Sequence, residues 1–269
     1  MRNKITFVVF ALQFIVGFAT FAFANEPTPW GIDFQASASP VMDRLYDFHQ
    51  LLLYIISGIV IFVFLLLAII IIKFRASKNP KPSKTSHNSL LEIIWTAVPL
   101  IVLIVIAIPS FRLLYFMDRT ETPELTLKVT GYQWYWGYEF PEHDISFDSI
   151  MVPEDEISGD QKRLLSVDSP VYLPVDTNIQ ILVTAADVLH SFAVPSFGIK
   201  TDAVPKRTNE TWVNITKEGR YFGQCSEICG VGHAYMPIEI IAVSKEEFQK
   251  WIEQQKEALN TNYNIATRE

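Results

Sequence analysis

The chain has 269 residues, a formal net charge of −7, a hydrophobic content of 49% and a mean hydropathy of +0.21. The acidic balance argues against a nucleic-acid partner, which needs a basic surface, and the apolar content is high for a wholly soluble protein. Its length suffices for a membrane portion plus one globular domain of ordinary size.

Residues 1–24 open with Arg2 and Lys4, run apolar from Ile5 to Phe23 and end in Ala22-Phe23-Ala24. This is the pattern of a secretory signal peptide with a small-x-small cleavage site, the alternative being an uncleaved membrane anchor. Residues 25–40, rich in Pro, Ser and Ala, predict an extended lead-in. Residues 41–49 mix apolar and charged side chains at helical spacing, as at the watery end of a membrane helix. Residues 51–72 then carry no charge over the length that a bilayer core requires, which predicts a first span. The next stretch holds Lys73, Arg75, Lys78, Lys81 and Lys84 without an acid, and Pro80 and Pro82 break it. Such a loop marks the cytoplasmic side. Residues 90–117 supply a second span, about 92–116 at its core, with Pro99 and Pro109 inside it and Arg112 near its exit. Residues 25–117 thus form a two-helix membrane unit, and 118–269 a domain outside the cytoplasm.

From Asp118 the pattern changes to short strand-like runs at 125–140, 163–167, 171–173, 179–185, 192–194, 211–215, 220–223 and 238–243. Many short strands separated by turn residues predict an antiparallel sandwich or barrel. A helix from Lys245 to about Ala258 follows, with Phe248, Trp251 and Ile252 on one face, and the last eleven residues read as frayed. Acidic side chains outnumber basic ones 24 to 13 from residue 118 onward, a balance that steers a basic partner or serves plain solubility.

Both cysteines of the chain lie in Cys225-Ser226-Glu227-Ile228-Cys229-Gly230-Val231-Gly232-His233-Ala234-Tyr235-Met236. Two thiols, an imidazole and a thioether form the ligand set of a soft-to-borderline transition metal, copper first. His190, in Asp187-Val188-Leu189-His190-Ser191-Phe192, offers the second imidazole that a two-copper site needs. A disulfide and a zinc site remain open on residue type alone. Met236, however, is useless to zinc, and a mononuclear blue-copper site leaves one cysteine idle. No Cys-x-x-Cys-His occurs, so no c-type haem is attached.

Cys-x3-Cys-x3-His-x2-Met, the Asp-x-x-His-Ser-Phe segment, Gly131-Tyr132-Gln133-Trp134-Tyr135-Trp136 and the two spans together resemble cytochrome c oxidase subunit II, from about residue 30 to about 245. The resemblance implies a membrane-anchored α+β chain: a two-helix transmembrane hairpin, then an all-β cupredoxin-like Greek-key sandwich with a C-terminal helix. It implies a dinuclear copper centre, CuA, with Cys225 and Cys229 bridging, His190 and His233 capping, and Met236 and the Glu227 carbonyl as weak axial ligands. Trp134 would receive the electron from cytochrome c, and the copper would pass it to haem in catalytic subunit I. Glu139, Asp148, Asp168, Asp187 and Asp202 would fall on or near the docking face, although each taken singly reads first as an ordinary solvated carboxylate. The Glu227 carboxylate would hold a magnesium ion shared with subunit I, and Glu92 would mark the mouth of a proton path. The implied setting is the inner (cell) membrane, multi-pass, among lipid and other oxidase subunits, with the copper domain periplasmic.

Two departures stand out. Tyr132 occupies a position where the family often has histidine, and Lys206 one where glycine is usual. A quinol oxidase subunit would lack the copper ligands, and nitrous oxide reductase would call for a larger catalytic domain without the anchor. A copper-delivery protein would need neither the aromatic strand nor the acidic face.

Overall fold

The computed structural model describes residues 25–81, 83–118 and 122–266; the expected signal peptide lies outside them. Helix α1 (Pro40–Lys73) starts where Ser39 caps it, its hydroxyl accepting from the Met42 amide at 3.0 Å, with Pro40 preset for the first turn. Helix α2 (Ser89–Met117) is capped by Asn88, which accepts from the Leu91 amide at 3.1 Å, and contains Pro99 and Pro109. Both are long and apolar enough to cross a membrane, and their apolar side chains face outward rather than into a core. At 34 residues α1 is about 50 Å long, against a hydrocarbon layer of about 30 Å. The excess carries its first turns onto the β domain. There Val41 and Met42 are buried, and Ser39 donates to the Phe197 carbonyl at 2.7 Å. On α2, Trp212 donates to the Met117 carbonyl at 3.1 Å and meets Phe116 edge-on at 5.4 Å.

The β domain packs two five-stranded sheets. One runs β3 (Ile145–Ser149), β2 (Tyr135–Phe140), β1 (Leu125–Tyr132), β5 (Asn178–Ala185), β8 (Asn209–Asn214). The other runs β4 (Val171–Pro174), β10 (Pro237–Val243), β9 (Gly219–Cys225), β6 (His190–Val194), β7 (Ile199–Ala203). Inner faces carry the alternating apolar residues, with Trp136, Phe140, Phe192 and Ile181 fully enclosed. Helix α3 (Lys245–Ala266) closes one end through Phe248, Trp251 and Ile252, as expected; the Trp251 ring stacks on Tyr172 at 5.3 Å. It runs past Ala258 to Ala266, because no glycine or proline stands in that stretch to stop it.

Several strand expectations need correction. The sandwich is mixed rather than antiparallel, since β1 pairs parallel to β5 and β4 parallel to β10. The run 125–140 is a hairpin, because Gln133-Trp134 turns the chain and pairs Tyr132 with Tyr135. Tyr132 therefore lies on the outer face, stacked on Tyr135 at 4.7 Å, opposite to buried Trp136 and Tyr138. Residues 163–167 form a turn closed by the Leu165 and Ser166 amides on the Lys162 carbonyl, with only Val167 bridging to Met151. Strand β3 (Ile-Ser-Phe-Asp-Ser) was not among the expected strands, although its Ile145 and Phe147 alternate with polar residues. Lys206 adopts φ +64° in a turn closed by Arg207 on the Val204 carbonyl, a left-handed conformation that favours glycine.

Candidate metal centre

Strand β9 ends on Cys225, a loop carries Cys229, and a short 3-10 turn (His233–Tyr235) delivers Met236 to the start of β10. His190 opens β6, and the Ser226 amide bonds to the Ser191 carbonyl at 2.9 Å, tying the cysteine loop to that strand. Residues 35 or more apart in sequence thus collapse into one cluster. The two sulfurs are 3.9 Å apart and both thiols are free, which removes the disulfide alternative. His190 Nδ1 lies 3.9 Å from Cys225 Sγ, and His233 Nδ1 lies 3.5 Å from Cys229 Sγ. Met236 Sδ is 3.5 Å from Cys229 Sγ, and the Glu227 carbonyl is 3.3 Å from Cys225 Sγ. Each sulfur therefore has one imidazole and one weak donor beside it. His190, Cys225, Cys229 and Met236 are buried, and His233 is half-buried.

This donor set fits copper. It is sulfur- and imidazole-rich, and its thioether has no use in a zinc site. Burial, and then the neighbouring Cys225, push the Cys229 thiol up to about 12. Two thiolates side by side out of water need a cation to neutralise them.

The surrounding residues orient the donors. Asp187 Oδ1 lies 2.9 Å from His190 Nε2. A proton held there leaves Nδ1 with its lone pair toward the sulfurs. Burial alone would raise the Asp187 carboxyl, but hydrogen bonds from His190, Val188 and Gln133 outweigh it and hold it below the usual carboxylate range. Gly131 is required beneath His190, since a Cβ there would stand 2.9 Å from the imidazole. Trp136 donates to the Met236 carbonyl at 3.1 Å. On the other side Trp134 donates to the Cys229 carbonyl at 3.2 Å and Gln133 to the same oxygen at 2.7 Å. The Gly230-Val231-Gly232 loop lies against the Trp134 indole, with a Cβ at Gly230 falling 3.0 Å from Cζ2.

The acidic candidates are dispersed. Glu139 and Asp148 line one depression with Tyr132, where Glu139 pairs with Lys128 at 2.7 Å. Asp168 accepts from the Ile150 amide at 2.8 Å. Asp187 is taken up by the centre itself. Asp202 lines a separate cleft with Asp118, Lys200 and Arg207. Glu92 sits in the first turn of α2, at the far end from the sandwich. His143 is half-buried and faces Phe248 at 6.1 Å, away from the centre. Gln133 and Gly131 fall in the aromatic motif quoted for the resemblance, but their contacts with the cysteine loop and His190 escaped the sequence reading.

Residues 125–243 match the family described as cytochrome C oxidase subunit II, periplasmic domain, and residues 27–113 match its transmembrane domain. The chain is 52% identical over 253 residues to a probable cytochrome c oxidase subunit 2 of Rickettsia bellii, covering 94% of this chain and 92% of the relative. It is 44% identical over 251 residues to cytochrome c oxidase subunit 2 of Phytophthora megasperma, covering 91% and 93%. The crystal structure of the periplasmic domain of subunit II of cytochrome oxidase from Bradyrhizobium japonicum shares 47% identity. It covers 52% of this chain and 99% of its own, with a TM-score of 0.49.

Proposed function

Since the chain belongs to the cytochrome c oxidase subunit II family, a component of an oxidoreductase complex, we propose that its sandwich holds two copper ions and receives electrons from cytochrome c for haem in subunit I. One observation carries this reading: two unlinked thiols, each with its own imidazole and its own weak donor beside it. Bound copper supplies one-electron chemistry between stable oxidation states. Cys225, Cys229, His190, His233, Met236 and the Glu227 carbonyl would hold it.

The protein's part is to hold these donors still and dry. Asp187 fixes the His190 ring, Trp136 the Met236 backbone, and strands β6 and β9 the spacing between His190 and Cys225. Trp134, half-buried and bonded to the Cys229 carbonyl, joins the surface to a ligand residue through a single hydrogen bond. That contact supports Trp134 as the residue at which the electron arrives. Glu139 and Asp148, beside the stacked tyrosines near this turn, would attract a basic cytochrome. Asp168, Asp187 and Asp202 would add to the field rather than bind singly. Half-buried Glu227 would turn its carboxylate to a magnesium ion at the boundary with subunit I, a hard cation suited to oxygen.

The basic loop between α1 and α2 supports a cytoplasmic location for that loop, hence a periplasmic copper domain at 118–269 below a membrane unit at 25–117 and a cleaved 1–24 signal. Glu92 would then open a proton path from the cytoplasmic side. Metal analysis of the purified full-length chain tests the reading. Two coppers per chain are expected; one copper, or zinc, rejects it.

A further inference from the structure

Where the helix pair meets the sandwich, α1 and α2 enclose a cleft of about 250 Å³ that has no part in the metal centre. Its floor is Phe48, Leu51, Pro109 and Leu113; its rim is Arg44, Arg112 and Asp47. Leu51 opens the uncharged stretch of α1, and Pro109 lies within the uncharged stretch of α2. The floor therefore stands at the edge of the hydrocarbon. Arg44 precedes Leu51 by seven residues, roughly 10 Å of helix, which sets its guanidinium at headgroup depth. Arg112 stands at the end of its own uncharged run and lines the same cleft, and a side chain of its length can extend its stem toward water.

Arg44 is a held side chain. Its guanidinium carbon sits 3.5 Å over the Phe116 ring, and Phe116 is braced by Trp212 of β8. Among the described residues neither Arg44 nor Arg112 makes an ion pair, although Asp47 shares the rim. The rim carries a net charge of +1. Two guanidiniums above an apolar floor match a molecule with one phosphate anion and a hydrocarbon tail, because Arg reads phosphate oxygens in pairs.

We propose that this cleft binds one anionic phospholipid, its phosphodiester between Arg44 and Arg112 and an acyl chain along Phe48, Leu51, Pro109 and Leu113. The lipid would join the helix pair to the sandwich through Arg44, Phe116 and Trp212. A zwitterionic lipid offers the same phosphate but brings an ammonium against Arg44 and Arg112, so anionic headgroups should be preferred.

The full chain, delipidated in detergent and equilibrated in nanodiscs of equimolar phosphatidylglycerol and phosphatidylcholine, is read by native mass spectrometry of retained lipid. One phosphatidylglycerol per chain should be retained over phosphatidylcholine by about tenfold, in keeping with charge-assisted contacts. Arg44→Gln with Arg112→Gln should bring the two lipids near parity, and Arg112→Gln alone should give an intermediate ratio. Arg44→Lys, which keeps the charge, should retain most of the preference, and Asp47→Asn should increase it. Equal retention of both lipids by the unaltered chain would overturn the proposal, as would an undiminished preference in the double variant. Displacement by inorganic phosphate alone would mean a free-anion site, and loss of the lipid on assembly of the oxidase would mean that a partner subunit covers the cleft. Either would also overturn it.

Discussion

Gly232→Ala is the sharpest probe of the contact between Trp134 and the cysteine loop. The Gly232 backbone (φ −90°, ψ 9°) lies at negative φ in a turn region that alanine also adopts, so the added methyl acts mainly through what it meets. It meets the indole: Cδ2 and Cγ lie well inside contact distance and Cε3 at 2.7 Å. Restoring an ordinary separation of about 3.5 Å moves the ring by roughly 0.8 Å at Cε3 and further at Cδ2. The hydrogen bond from Trp134 to the Cys229 carbonyl, 3.2 Å in the native chain, then passes out of reach. Overpacking of this kind costs about 1–3 kcal/mol, of which the hydrogen bond accounts for roughly 0.5–1.5. Thermal unfolding of the full chain in detergent, followed by near-ultraviolet circular dichroism, should show a midpoint lower by roughly 3–9 °C. Oxidation of reduced cytochrome c by the assembled oxidase should slow while copper content holds. Gly58→Ala, with nothing within 4 Å of the new methyl, is the control and should leave both unchanged. A Gly232→Ala chain with native melting and native oxidation rate would refute the packing argument.

Asp187→Asn should weaken copper retention roughly 10–100-fold in competition with a chelator, because the His190 ring loses its carboxylate partner; unchanged retention would leave Asp187 with surface electrostatics alone. Trp134→Phe keeps an aromatic ring but loses the indole donor, so cytochrome c oxidation should fall in stopped-flow traces, and the lost hydrogen bond should cost about 0.5–1.5 kcal/mol in denaturant unfolding. Trp212→Phe removes the hydrogen bond to the Met117 carbonyl and should cost about 0.5–1.5 kcal/mol, measured by denaturant unfolding of the full chain. Glu239 is buried, and burial raises its carboxyl above the ordinary value despite help from the Val167 amide and Arg220. Between those two values the unfolded chain has lost a proton that the folded chain keeps, so stability falls as pH rises through that window and is level above it. Glu239→Gln should flatten that descending limb, and an unaltered stability profile would count against the assignment.

The candidate donors stood out because their chemistry is local: sulfur and imidazole at positions 225–236 point to a soft metal whatever the fold. The membrane helices were legible for a similar reason, since an uncharged run of bilayer length has few other uses. The missed features share a different origin. Gln133 and Trp134 sit in an aromatic stretch whose strand propensity is high and which contains no Asn-Gly or Asp-Gly to announce a hairpin turn. The turn becomes intelligible only from the opposite side, where Cys229 offers its carbonyl to both side chains and Gly232 leaves room for the indole. Asp187 misleads in the complementary way. An exposed-looking acid three residues before a histidine reads as surface charge until β6 folds against β9 and places His190 between the carboxylate and Cys225. In both cases the informative partner is 35 to 96 residues away, beyond any local pattern. The same contacts give the hairpin its place: β1 and β2 turn where they do because the turn residues are bonded to the cysteine loop, so the hairpin and that loop form one unit.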